Sequence, residues 1–339
     1  MVTHGRGRPA DRSRPRTAQD DPLREGGFAY VLLSHVDPEA VLRSVRRIRE
    51  LSPTAHVLVR HAQGPGFLDE VHAAAAGAEV LVSRTAIRWG TFSTVAAVLE
   101  ALAEAERRWQ PSHTVVVSGQ DHPVRDLQAW EDGVRRTGAD GLLRQDHRRY
   151  DERHTYRWHA LPEALTRWRP LLAAAARATR NDPVRRLVHV QEAGERTWVV
   201  AHARRSRPPV PYRKGTLWMT LSHRAVARLL TVDERTRRFF ATTLIPDEAF
   251  VHSVLAATPG LRVVDGVTSV AFFPPEGGPH PRTVLAGDVP AVLTAGAAFA
   301  RKVVAGHSDE FVRLVDAAVD AERTRTTPAA TAVVERTAP

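Results

Sequence analysis

Cysteine is missing altogether from the 339 residues, which excludes disulfides, thiolate nucleophiles and cysteine-ligated zinc or iron–sulfur centres. Lysine is nearly missing: of 48 Lys plus Arg residues only Lys214 and Lys302 are lysine. Where arginine fills almost every cationic position, a retained lysine suggests that a compact ammonium is needed, though drift toward arginine leaves the same remnant. No run approaches the ~18 uninterrupted apolar residues of a membrane span, so none is expected. The opening MVTHGRGRPADRSRPRTAQDD is basic and proline-rich but lacks the apolar segment of a secretory signal. Together these absences predict a soluble cytoplasmic protein. Common catalytic signatures are missing too: there is no P-loop, no G-x-G-x-x-G after a strand, no G-x-S-x-G elbow and no H-E-x-x-H. No D-x-D triplet exists, since the adjacent aspartates Asp20 and Asp21 lie in the basic opening, and the 16 histidines show no zinc spacing. No signature of a resident metal or cofactor is visible in these patterns.

The composition that remains is that of a globular chain. Hydrophobic residues make up 43% of it, ample for a core. A net charge of +10 invites a nucleic-acid reading. The arginines are scattered among acids, however, as where Arg43, Arg46, Arg47 and Arg49 share a helix with Glu39 and Glu50. No nucleic-acid-binding signature accompanies them, so solvated arginine surface is the reading and nucleic acid is not an expected partner. A diffuse positive field would still attract an anionic substrate.

Residues 1–25 read as a disordered basic arm and 323–339 as a disordered tail, leaving one catalytic domain over 26–322. Its first half, 26–150, alternates apolar runs with amphipathic stretches. Strands are predicted at Phe28–His35, Ala55–Arg60, Ala78–Ser83 and His113–Gly119. Between them, Asp37 and Pro38 mark a helix start, a short helix surrounds Leu68–Ala75, and Thr91–Trp109 turns Val95, Val98, Leu99 and Leu102 inward. This alternation predicts an α/β fold with a mostly parallel sheet covered by helices on both faces. Ligands of such sheets collect at the carboxyl ends of strands, which draws attention to Ser34–His35, Arg60–His61, Arg84–Gly90 and Ser118–Asp121. The second half, 151–322, is mixed, with a helix expected over Ala160–Thr179, a strand over Arg196–His202, and helices over Ser222–Leu230, Pro246–Leu255, Asp288–Thr294 and Ser308–Ala321.

Glu248 is the best-placed carboxylate, in the predicted first turn of a helix, where the dipole favours an anion. Such a group can take a proton from an attacking hydroxyl, or it can simply complement the helix end. Arg282 and Lys302 could steady a departing diphosphate. A cation about 4 Å away contributes roughly 4 kcal/mol at an effective dielectric near 20, before desolvation. Each could equally tether a loop or face solvent. Trp89, Trp218, Phe272 and Phe273 could stack on sugar rings, whereas Trp130, Trp158, Trp168 and Trp198 read as packing.

Taken in order, Ser34-His35-x-Asp37-Pro38, Trp89-Gly90-Thr91-Phe92-Ser93, Ser118-Gly-Gln-Asp121-His-Pro, Lys214-Gly-Thr-Leu-Trp218, Ile245-Pro-Asp247-Glu248-Ala-Phe, His280-Pro-Arg282-Thr and Phe299-Ala-Arg-Lys302 resemble the boxes of the core-2/I-branching β-1,6-N-acetylglucosaminyltransferases. That family also includes peptide O-xylosyltransferases. The resemblance implies a GT-A-like fold and an inverting, metal-independent transfer from a UDP-sugar, usually UDP-N-acetylglucosamine, to a glycan or small-molecule acceptor. It implies Glu248 as general base and Arg282 and Lys302 as the phosphate-binding cations. Asp121, His35 and Arg84 would line the donor side, and Trp218, Lys214, Trp89, Asp247 and Phe273 the acceptor side. The sequence departs from the family where the second strand ends Arg60-His61-Ala62 instead of an acidic H-x-D, and where Met219 replaces a second tryptophan. A catalytically silent sugar-nucleotide or glycan binder remains the alternative.

Overall fold

In the computed structural model the described residues are 26–326 except 62–67, 84–85, 147–151, 180–187, 194–196, 205 and 279. The basic arm, the last 13 residues and Arg84 therefore lie outside them.

The first half follows the expected alternation: β1 (Phe28–Ser34), α1 (Pro38–Leu51), β2 (His56–His61), α2 (Glu70–Ala75), β3 (Glu79–Val82), α3 (Ser93–Trp109), β4 (His113–Ser118), β5 (His122–Pro123), α4 (Leu127–Thr137), β6 (Gly141–Leu143) and β7 (Gln145–Asp146). After a 3-10 turn at Glu152–His154 come β8 (Tyr156–Ala160), α5 (Glu163–Thr166), α6 (Arg169–Ala178), β9 (Val188–Glu192) and β10 (Trp198–Ala203). The chain closes with β11 (Lys214–Gly215), β12 (Met219–Ser222), α7 (His223–Leu230), α8 (Glu234–Ala241), α9 (Phe250–Ala256), β13 (Val263–Asp265), β14 (Ser269–Ala271), α10 (Val289–Thr294), β15 (Phe299–Arg301) and α11 (Asp309–Thr326).

Seven strands form the central sheet in the order β13-β6-β12-β4-β1-β2-β3. β12 alone runs against its neighbours, and the other pairings are parallel. This is the mixed α/β, mostly parallel arrangement expected of a GT-A-like fold. All seven residues of β1 are buried, and the side-chain period of two sends them alternately to opposite faces. Phe28, Tyr30 and Leu32 join Val41, Val45, Ile48 and Leu51 of α1 and Phe311, Val315 and Val319 of α11. Ala29, Val31 and Leu33 join Val95, Val98, Leu99 and Leu102 of α3 with residues of α7 and α9. The sheet is thus covered on both sides, as a parallel sheet must be.

Asp37 caps α1 through the Ala40 amide at 3.0 Å, and Pro38 occupies the first turn, where its missing N–H costs nothing. Three differences from the sequence reading stand out. The expected helix over Ala160–Thr179 is broken into α5 and α6, because Arg169-Pro170 restarts the helix after a turn at Arg167–Trp168. The expected helix from Pro246 is a 3-10 turn, Pro246–Glu248, followed by α9. α11 continues to Thr326, so residues 323–326 are helical, not part of the tail.

β1 and β4 run parallel, and the connections that leave them, α1 and β5, pack together on one face, where Ser44 Oγ donates to the Asp121 carbonyl at 2.7 Å. Their carboxyl ends lie side by side at the sheet edge where ligands of α/β folds bind. Backbones approach closely here and beside β11. A Cβ on Gly119 would come within 2.8 Å of Ser34 and Val41, and one on Gly215 within 2.2 Å of both the Arg144 carbonyl and the His252 ring. We expect Gly215→Ala to lower stability by about 1–3 kcal/mol through overpacking. A lower denaturant midpoint at unchanged m-value would show it, and an unchanged midpoint would contradict it.

Candidate functional site

Glu248 ends the 3-10 turn that precedes α9, so the helix-dipole argument from the sequence does not apply. Two cations hold its carboxylate instead. Arg153 Nη1 lies 2.5 Å from Oε2 and Lys214 Nζ 3.3 Å from the same oxygen. Among the described residues Oε1 accepts no hydrogen bond, and about a third of the side chain (35%) is exposed. Clamping one oxygen leaves the other available at the surface.

Behind it, the buried His252 ring donates from Nε2 to the Thr216 carbonyl at 2.9 Å. Burial holds this imidazole below its usual pKa against the opposing effects of that carbonyl and of Glu248. Asp247 is half-buried as a residue, yet its carboxyl points inward. Loss of hydration, reinforced by Glu248 and opposed by a backbone amide and Arg153, pushes its pKa up to about 6.

The Lys214–Trp218 segment leads from this carboxylate toward the carboxyl end of β4. At its far end the Arg301 guanidinium lies over the Trp218 ring, 4.3 Å from the centroid. Arg301 Nε is also 3.4 Å from Oδ1 of Asp121, which is buried. Burial raises the Asp121 pKa, opposed by Arg301, the Ser118 amide and Ser269. The Ser118 amide donates to Asp121 Oδ2 at 3.0 Å. Asp121, Arg301 and Trp218 therefore tie the Ser118–Pro123 and Phe299–Lys302 boxes to the Lys214–Trp218 segment.

The last box is fixed by main chain. β15 pairs with β5, and the Val303 amide donates to the Gln120 carbonyl at 2.8 Å. Lys302 makes no ion pair among the described residues, and its charge reaches His35 at the end of β1. Although much of His35 is exposed, partial burial lowers its pKa, with Lys302 and then Arg301 pushing the same way.

Arg282 sits differently from its expected role. Its guanidinium makes two bonds to Asp288, at 2.7 and 2.6 Å, and lies 5.2 Å from the Phe272 ring centroid. Much of its charge is spent on that carboxylate. Its backbone still meets the last box, since the Arg282 carbonyl accepts from Lys302 N–H at 3.5 Å and the nearby Val284 N–H donates to the Lys302 carbonyl at 3.0 Å.

Trp89 is 39% exposed and meets His280 edge-on at 6.4 Å. The neighbouring Gly90 carbonyl accepts from Ile245 N–H at 2.9 Å, so the tryptophan box abuts the Glu248 turn. Phe273 is 54% exposed, on a loop. Arg153 and Arg301 were missed by the sequence reading. Arg301 carried a usable signal, its place inside a box. Arg153 carried none. Arg60, expected at the rim, is instead fully buried, bonded to Ser83 and Glu100.

A carboxylate with one oxygen restrained and one open, cations near the carboxyl edge of the sheet and exposed aromatic rings are thus the chemical resources of this region. The sequence match sharpens this. The family model of the core-2/I-branching enzymes matches residues 28–292, so the chain belongs to that family and is a glycosyltransferase that uses a sugar nucleotide. The match stops before Phe299, and it is the pairing of β15 with β5 that brings the final box to the others.

No curated protein matches the chain. Among solved structures it is similar to mouse xyloside xylosyltransferase 1, with 6% identity, 81% of this chain and 96% of that one covered, and a TM-score of 0.35. It is also similar to glucosyl-3-phosphoglycerate synthase from Mycobacterium tuberculosis, solved with Mn2+, uridine diphosphate and glucosyl-3-phosphoglycerate. That pairing has 17% identity, coverage of 76% and 87%, and a TM-score of 0.27. At such TM-scores the likenesses carry no argument, and the family assignment rests on the sequence match.

The inward carboxyl of Asp247 has a consequence for stability. Its folded pKa of about 6 lies above the 3.8 of a free aspartate, so folding favours the protonated form. The group therefore opposes folding above pH ~6, and that opposition fades as the pH falls toward 4. Asp247→Asn should raise stability by up to about 3 kcal/mol at pH 8, with the gain vanishing near pH 4. Melting temperatures of both proteins across that range test it; a gain independent of pH contradicts it.

Proposed function

We propose that the protein is an inverting, metal-independent glycosyltransferase of the cytoplasm. It moves a sugar, N-acetylglucosamine in the first instance, from a UDP-sugar to the hydroxyl of a glycan or small-molecule acceptor. The observation that carries this reading is the one-sided restraint of Glu248, with Arg153 and Lys214 on Oε2 and no hydrogen bond to Oε1 among the described residues.

In the proposed reaction Oε1 takes the proton of the acceptor hydroxyl as its oxygen attacks the anomeric carbon. The bond from that carbon to the diphosphate breaks as the new one forms, and UDP departs with the bonding pair. Base catalysis of this kind typically contributes about 10²–10⁴-fold. Arg153 and Lys214 fix the direction of the carboxylate so that attack comes from one face only.

Charge grows on the leaving diphosphate and calls for fixed positive groups. Lys302 fits this role because it has no ion-pair partner among the described residues. Arg282 contributes only as far as the diphosphate draws it from Asp288. Asp121 and His35 flank the donor side at the carboxyl ends of β4 and β1. Trp218 has one face covered by Arg301, so a sugar would stack on the other. Trp89, Lys214, Asp247 and Phe273 remain acceptor-side proposals.

A panel of UDP-sugars, scored by UDP release with and without acceptor, tests the reading. Glu248→Gln should cut transfer at least ~10²-fold while UDP still binds, and Arg153→Gln should cost less, mainly in kcat. EDTA should leave the rate unchanged. Strong dependence on a divalent ion, or full activity of Glu248→Gln, would overturn the mechanism. UDP binding with no turnover of any donor would favour a silent binding protein.

A further inference from the structure

Trp168, which reads as a packing residue in the sequence, is 52% exposed, with Leu165 at 46% and Leu171 at 63%. They recur every third residue through α5, the turn at Arg167–Trp168 and the start of α6, a spacing that makes successive members of the series neighbours on the surface. Ala174 and Ala178 continue the exposed stripe, and α6 has no buried residue at all. The opposite side of α6 is accounted for. It lies against β9, with Arg169 Nη2 3.0 Å from Glu192 Oε1 and Val190 N–H donating to Thr179 Oγ1 at 3.1 Å.

Charge beside the stripe is mainly positive. Arg167 and Arg177 are exposed along it, Arg169 is paired with Glu192, Glu163 is the only acid between residues 157 and 179, and the chain as a whole carries +10. The Arg167 guanidinium lies over the Trp168 ring, 5.8 Å from its centroid, placing a cation beside the indole.

We propose that the α5–α6 face docks reversibly on an anionic membrane surface, inserting Leu165, Trp168 and Leu171 at headgroup depth while the arginines meet lipid phosphates. Two arguments favour lipid over a protein partner. The first is charge complementarity, since a basic helix with tryptophan and leucine on its apolar side has the composition of an interfacial helix. The second is area. A ten-residue helix is about 15 Å long, and a strip ~10 Å wide offers roughly 150 Å², against about 800 Å² per partner in a stable protein interface. Lipid has no such minimum, because each apolar side chain partitions on its own and charge adds to it. The inference stands apart from the identity of donor and acceptor. It would place the enzyme beside hydroxyls carried at a membrane surface.

The test uses the full chain and vesicles of neutral phosphatidylcholine, with and without about a third phosphatidylglycerol. The protein should co-sediment with the anionic vesicles and not the neutral ones, and release at 0.5 M salt should be marked. The double variant Trp168→Ser/Leu171→Ser and, separately, Arg167→Glu should each weaken binding at least ~10-fold. Because these side chains are exposed, melting temperature and UDP release should stay as in the parent, separating loss of docking from loss of fold or activity. No binding to anionic vesicles overturns the proposal, as does binding that persists in both variants, which would place it elsewhere on this basic chain. A concentration-dependent dimer abolished by the same variants would assign the stripe to a second copy and overturn it equally.

Discussion

The placement of everything else depends on the ladder of β2, β1 and β4. β1 is buried along its whole length and hydrogen-bonded in parallel on both edges. Its side chains alternate between two separate clusters, so a shift of one residue would exchange the two faces. That fixes where β1 and β4 end, and hence where Ser34–His35 and Ser118–Asp121 stand. Gly119 reinforces the restriction: its amide bonds the Leu33 carbonyl at 2.8 Å, and any side chain there would strike Ser34 and Val41. The position of this sheet edge is a consequence of core packing, not of loops that happen to meet.

On this frame the later boxes are attached by main chain more than by side chain. β15 pairs with β5, Val303 with Gln120, and Val284 with Lys302. Side chains then set the electrostatics. Arg301 is shared between a buried carboxylate and an indole face. Arg282 is held by Asp288, and Glu248 by two cations on one oxygen. Such pairs restrain direction more reliably than they add stability, because desolvation offsets much of their Coulombic gain. In a group-transfer site direction is the valuable quantity. In the proposed reaction, a base whose proton-accepting oxygen is aimed and a lysine without an ion-pair partner among the described residues would be cheaper to organise in advance than during each turnover.

The segment from β8 to β10 has another character. β8, β9 and β10 form a small antiparallel sheet of their own, with a minor cluster around Trp158, Val199, Ala201 and Leu244. Its helices lie on the surface. Yet the Glu152–His154 turn just before β8 supplies Arg153 to Glu248, so the part least built into the core reaches the residue most central to the proposed chemistry. The exposed stripe of α5 and α6 follows β8 directly in the chain.

Much of this was written locally. The period-two and helical patterns located β1 to β4 and α1 to α3 to within a few residues, since a strand buried on both faces and an amphipathic helix advertise themselves in apolar spacing. The ordered boxes carried the family, and within them Glu248 and Lys302 were legible as types. What the sequence could not carry was pairing across distance. Arg153 lies 95 positions from Glu248, and nothing in its surroundings distinguishes it from the many other arginines of an arginine-rich chain. Asp288, six residues from Arg282, is near in sequence, but only the fold of the loop turns its carboxylate onto that guanidinium. Trp168 shows the same limit from the other side: helical periodicity says which residues share a face, whereas burial depends on what another part of the chain brings against it, and here nothing described covers that face.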